Sequence, residues 1–290
     1  MKSESMKAFG VFMKQRLERF VIRGEHFKEL RLVVSPNADF SVQAETLLGL
    51  IIFGTLFLLW CWVKIPFLPQ PQALWPAFVR LWDVNALAMA TIESLMLYSK
   101  AVVISLVIAG ILVYSTILPL MRPVVNFLAL LRYLSMAGMN LFFIIFFGTS
   151  EESKLLIMVF YVTIALIKSF LDVKKAIEPR FYDHARTVYR SEWRVAWAVI
   201  TRRNLGEFLV AIRQNQPTGW TMVFIVEGFI LNGTGVGGII TRMLHNPKID
   251  EVGVVLVLGV IVGLLIDLFW TIMIITSCPE MVHKLNRRSK

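Results

Sequence analysis

Apolar residues run almost without interruption through Thr46 to Val63, Ser94 to Leu118, Val124 to Phe147, Leu155 to Val173 and Val252 to Thr276. Each run is near the ~20 residues that carry a helix across a bilayer. This pattern constrains the chain severely, because in hydrocarbon every backbone N–H and C=O must be paired within the protein, and helices do that segment by segment. A further run near Glu207 to Leu231 is interrupted by Arg213-Gln-Asn-Gln-Pro-Thr-Gly219, so it is less clean. The expected fold class is all-α, a polytopic membrane protein with about six transmembrane helices. Composition agrees with a lipid-facing surface: 57% of the residues are hydrophobic and 21 are Phe.

A net charge of +10 suggests nucleic acid until its distribution is considered. Basic residues gather before the first run (Lys14, Arg16, Arg19, Arg23), after the fourth (Lys174, Lys175, Arg180, Arg186, Arg190, Arg194, Arg202, Arg203) and at the end (Lys284, Arg287, Arg288, Lys290). With six spans all three clusters fall on one face, which the positive-inside rule makes the cytoplasmic one. Both termini are expected there, the lipid bilayer is the expected partner, and no nucleic acid is implied. The first ~40 residues hold no compact apolar core of a cleavable signal. Cys61 and Cys278 fall near opposite faces in this topology and are not expected to bond.

Residues 1–45 form an expected cytoplasmic or interfacial segment, in which Phe9, Phe12, Met13, Leu17, Phe20 and Val21 recur at helical spacing between charges. Such a helix lies on a membrane surface or binds a partner. The transmembrane domain spans 46–276, with a cytoplasmic loop at 174–206, and 277–290 form a basic tail. Ile65-Pro-Phe-Leu-Pro-Gln-Pro71 cannot continue a helix, since each proline removes a donor and restricts its predecessor. Trp75, Phe78, Val79 and Trp82 then suggest a short interfacial helix.

Polar groups at membrane depth must face protein or a wet cavity. Gln214, Asn215 and Gln216 therefore lie at a cytoplasmic mouth or line a pathway, and a pathway-facing helix is the reading preferred here. Of the intramembrane charges, Lys100 and Lys168 suit snorkelling anchors. Arg132, Arg213 and Glu227 are the candidates for a pathway, or for internal ion pairs. Gly233-Thr-Gly-Val-Gly-Gly238 superficially resembles a nucleotide fingerprint but lacks the preceding strand such a site needs, and reads as a flexible or re-entrant outer loop. His26, His184, His245 and His283 share no ligand spacing, and no nucleophile, base and orienting group can be assembled. No enzyme, no cofactor site and no metal site is expected in this chain.

Phe181 to Trp197 is a basic, helix-compatible segment in the cytoplasmic loop, with Pro179 where a helix can begin. It reads as a docking helix or as a membrane-surface helix. Asp183-His184-Ala185-Arg186-Thr187, with Trp193 beyond, resembles the coupling motif of permease subunits of type I ATP-binding-cassette importers, in the branch serving sulfonates, taurine and nitrate. Tyr189 occupies that motif's glycine position and Arg202 stands where a proline is usual. Leu68-Pro-Gln-Pro71, Phe147-Gly148, Trp220, Glu227, Gly235, Gly237 and Asp267 also fall in the family's order.

The resemblance implies a bacterial inner-membrane permease that docks cytoplasmic ATPase subunits through Asp183, His184, Ala185, Arg186, Thr187, Tyr189 and Trp193. ATP and magnesium would belong to those subunits. It further implies a second permease copy, identical or related, an external solute-binding protein and a small organic anion as solute. An ion-gradient-driven secondary transporter and a membrane scaffold that recruits a partner are the alternatives.

Overall fold

A computed structural model describes residues 42–63, 69–83, 86–229, 235–245 and 248–278, and every regular element among them is helical. The chain divides into two units, 1–66 and 67–290. In the first, α1 (Val42–Trp62) leaves Leu50, Phe53, Leu58 and Trp62 exposed. The expected amphipathic helix around Phe9 to Val21 and the basic tail at 279–290 lie outside the described residues.

The second unit runs α2 (Pro71–Asp83), α3 (Ala86–Ser115), α4 (Met121–Leu130), a 3-10 turn (Leu131–Tyr133), α5 (Met136–Phe147) and α6 (Glu151–Lys175). It continues with α7 (Pro179–Val188), α8 (Glu192–Ala196), a π-helical stretch (Trp197–Arg203), α9 (Leu205–Phe229), α10 (Val236–His245) and α11 (Ile249–Ser277). Among the described residues three helices are long and apolar enough to cross a membrane: Leu87–Ser115, Glu151–Lys175 and Ile249–Ser277.

Of these α6 is the central one, since 61% of its apolar window is buried against 33% and 28% for the other two. Its ends are well defined. Gly148 turns the chain at φ 75°, Ser150 accepts the Ser153 N–H at 3.2 Å, and Glu151 and Glu152 open the first turn while Lys174 and Lys175 close the last. Each charge sits where the helix dipole favours it. Ile157, Met158, Leu166, Ile167 and Phe170 on α6 pack into one core with residues of α3, α4, α9 and α11.

The run Val124 to Phe147 departs from the single straight span expected of it. Met121–Tyr133 and Gly138–Phe147 meet at 108°, so they form a broken span or a re-entrant pair. Leu134 and Ser135 are extended at the break, with ψ 137° and 121°. Arg132 is exposed beside the bend and donates to Tyr133 Oη at 2.8 Å.

The glycine-rich stretch also differs from expectation. Residues 231–234 are outside the described residues, but from Val236 the chain forms helix α10 rather than a loop. Its Val236, Ile239 and Met243 pack with Ala77, Leu87 and Ala90 and with Val254 and Val255 of α11.

Candidate functional site

Helix α9 continues through the polar interruption for 25 residues with Pro217 inside it, packed against both α6 and α11. Proline supplies no N–H, so one helical bond is lost there. The acceptor left without that bond is the Arg213 carbonyl, while on either side of it the Thr221 hydroxyl donates to the Pro217 carbonyl at 3.0 Å and Asn215 Nδ2 to the Ala211 carbonyl at 2.7 Å.

Along its packed side α9 forms a polar seam. Arg213 Nε and Nη2 donate to Asp267 Oδ1 and Oδ2 of α11, both at 2.8 Å. This is the two-pronged geometry that makes an arginine–carboxylate pair strong. The pair is about one-third exposed, 33% and 35%, so it borders an open space instead of being sealed in the core. Asn215 Nδ2 donates to Ser169 Oγ of α6 at 2.8 Å, and buried Gln216 reaches the Gly263 carbonyl at 3.4 Å. One turn on, Trp220 Nε1 donates to the Gly259 carbonyl at 2.8 Å. The rings fit because α11 has glycines there: a Cβ on Gly259 would stand 2.6 Å from Phe224 Cζ, and one on Gly263 3.2 Å from Trp220 Cδ1.

The other side of the same helix is open and polar. Gln214, Pro217, Thr218 and Thr221 are exposed, at the 3–4–7 spacing of one helical face. The structure thus brings Arg213, Asn215 and Gln216 together with Ser169 and Asp267, and leaves Gln214 on the open stripe. Thr218 and Thr221 were missed by the sequence reading, although their spacing from Gln214 carries the signal.

Glu227 lies elsewhere, 11 residues beyond Gln216, or about 16 Å along the helix at 1.5 Å per residue. Its buried carboxylate accepts the Ser94 hydroxyl at 2.8 Å and the Gly237 N–H at 2.9 Å, and Ser94 Oγ accepts the Val236 N–H at 2.9 Å. Ser94 and Glu227 together satisfy the first N–H groups of α10, which have no partner inside that helix. Gly235, at φ 102°, is required here, since a Cβ would sit 2.4 Å from Glu227 Oε1. Glu227 therefore anchors α10, and Arg132 at its bend is turned onto Tyr133, 4.8 Å from the ring centre.

The loop between α6 and α9 has its own small core, in which Ala185, Val195 and Val199 pack with Ile177, Phe181, Tyr182 and Tyr189. Helix α7 begins with Pro179 in its first turn and ends before Tyr189, which is extended at φ −114° and ψ 128°. The expected single segment Phe181 to Trp197 is thus two helices joined by a tight corner. Arg186 fastens that corner: Nε donates to Glu192 Oε1 at 2.9 Å and Nη1 to Asp183 Oδ1 at 3.1 Å. The Glu192 hydrogen bond holds the Arg186 guanidinium above its ordinary range, while burial pushes the Tyr182 phenol up. Asp183, His184, Arg186 and Thr187 are exposed, whereas Ala185 is buried. Tyr114, in the last turn of α3, ties the loop down by donating to the Trp193 carbonyl at 2.9 Å.

No family model matches this sequence, and no curated protein matches it.

Proposed function

We propose that this chain is a permease subunit of an ATP-driven importer, embedded in a bacterial inner membrane with both termini cytoplasmic. The carrying observation is the loop: a two-helix corner with its own core, fastened through Tyr114 to a helix of spanning length, and presenting Asp183, His184, Arg186 and Thr187 outward. Such a corner transmits force as a unit, as a lever between a soluble motor and membrane helices must. In this reading six segments span: α1, α3, the bent α4–α5 pair, α6, α9 and α11.

Solute passes along the open stripe of α9, whose exposed Gln214, Thr218 and Thr221 suit a wet cavity better than lipid. A second permease copy, identical or related, closes that cavity from the other side. A small organic anion such as a sulfonate, taurine or nitrate is the proposed solute, delivered by an external binding protein. The Arg213–Asp267 pair bordering the stripe supplies a guanidinium that is already neutralised, so it would guide an anion without trapping it.

The loop's geometry also selects the test. Because Ala185 is buried and His184 exposed, a cysteine replacing His184 is the one expected to cross-link to a co-purified ATPase. An intact complex giving no such cross-link, while exposed positions elsewhere react, would sink the assignment.

A second reading, the ion-gradient-driven carrier, rests on one observation, the one-third-exposed Arg213–Asp267 pair, whose carboxylate is the candidate site for a coupling cation. It predicts solute flux in proteoliposomes from an ion gradient alone, abolished by Asp267→Asn.

A further inference from the structure

Where α3 ends, a cleft of about 360 Å³ opens between that helix and the loop, lined by Tyr114, Tyr189, Trp193, Arg194, Trp197 and Arg202. Its walls are aromatic. Tyr114 packs at 5.7 Å from the Trp193 ring and edge-on at 6.1 Å from Trp197, yet Trp193 and Trp197 remain 46% and 58% exposed. Its charge is wholly positive. The loop's acids are committed elsewhere, Glu178 to Arg180 and Asp183 and Glu192 to Arg186, and no ion pair reaches Arg194 or Arg202 among the described residues.

Two further cations converge on the same helix end, two residues beyond Tyr114. Arg122 Nε donates to the Thr116 carbonyl at 3.2 Å and Lys174 Nζ donates to the Thr116 hydroxyl. Part of this charge balances the carbonyl end of α3. The remainder calls for an anion.

The surroundings say which anion. Tyr114 stands in the last turn of the apolar span Leu87–Ser115, so the cleft opens at the depth where apolar helix surface gives way to the charged loop. Tryptophan and tyrosine favour that boundary, and arginine pairs with phosphate oxygens in a two-pronged fashion. Val107 and Ile111, two turns and one turn before Tyr114 on the same side of α3, are 57% and 63% exposed and offer an apolar track. We propose that this cleft seats the phosphate of an anionic phospholipid headgroup, with its acyl chains lying along Val107 and Ile111. The site does not depend on the transport reading. It needs only that the chain lie in a bilayer, and binding would brace the loop against α3.

Native mass spectrometry of the full chain released from detergent micelles tests it, with phosphatidylglycerol or phosphatidylcholine added as probe. The wild type is expected to retain phosphatidylglycerol in preference to phosphatidylcholine. Surface basic residues contribute about 1 kcal/mol each toward anionic lipid, so R194Q/R202Q should weaken retention about thirtyfold. W197L keeps the charge but trims the apolar wall against which the glycerol backbone and upper acyl chain pack, and should weaken it about fivefold. The charge-matched control R180Q/R242Q, outside the cleft, should retain lipid like wild type.

Equal retention of the two lipids would overturn the proposal, as would lipid loss in the control or an unchanged W197L. Displacement of phosphatidylglycerol by inorganic phosphate would also overturn it, by showing a site for a free anion.

Discussion

Arg213, expected to face a pathway or an internal ion pair, proves to be the partner of Asp267, a residue noted for its place in the family's order, 54 positions away in sequence. Removing one leaves the other without its counter-charge beside apolar helices. Asp267→Asn is therefore expected to lower stability by roughly 1 to 3 kcal/mol, discounted from the fully buried case because the pair is partly open. In a double-mutant cycle with Arg213→Met, read by unfolding in micelles, the double variant should lose less stability than the two single losses together; additive losses would contradict the pair. Glu227→Ala should release the Ser94 hydroxyl and the first N–H groups of α10, costing roughly 1 to 3 kcal/mol as buried donors go unpaired. Protease cutting within 236–245 should rise in that variant. Unchanged protection would mean the carboxylate does not hold α10.

Among the elements, hydropathy made the helices around Leu87–Ser115, Glu151–Lys175 and Ile249–Ser277 legible, because apolar length alone fixes them. It could not reveal the 108° bend, since the break at Leu134 and Ser135 leaves a single small hydroxyl inside a run that otherwise stays apolar. Helix α10 was hidden for a different reason. Its glycines signal a turn, and the groups that stabilise its start, Ser94 and Glu227, come from other helices, although Val236, Ile239, Ile240 and Met243 already carried a helical period. In the candidate seam, Arg213, Asn215 and Gln216 were legible as polar residues in an apolar run, but which of them face inward was not. That depends on Ser169 and Gly263, on other helices.

The open stripe of α9 makes an element-scale prediction. Single cysteines at Gln214, Thr218 and Thr221 should react with a water-soluble thiol reagent in the membrane-embedded complex, and solute should slow them. Cysteines at Val210 and Val223, which are buried, should not react. Equal reactivity on both faces would remove the basis for a path there.

At the largest scale, within residues 67–290, an apolar bundle is tied to a charged corner by the aromatic anchor Tyr114. Tyr114→Phe deletes the hydroxyl that holds the Trp193 carbonyl, a loss of about 0.5 to 1.5 kcal/mol that the bundle should survive. In a transporter driven through the loop, ATP hydrolysis should continue in that variant while solute uptake falls. Parallel loss of both, with the complex intact, would argue that the anchor does not transmit force.

The most direct measurement of the central claim is cross-linking in the native complex. The chain would carry His184→Cys with Cys61 and Cys278 replaced by serine, be purified with its companions, oxidised, and its adducts identified by mass. A disulfide to an ATP-hydrolysing subunit, which also makes reconstituted uptake depend on ATP, is the result predicted. An intact complex that contains no such subunit, and transports on an ion gradient alone, is the result that would contradict it.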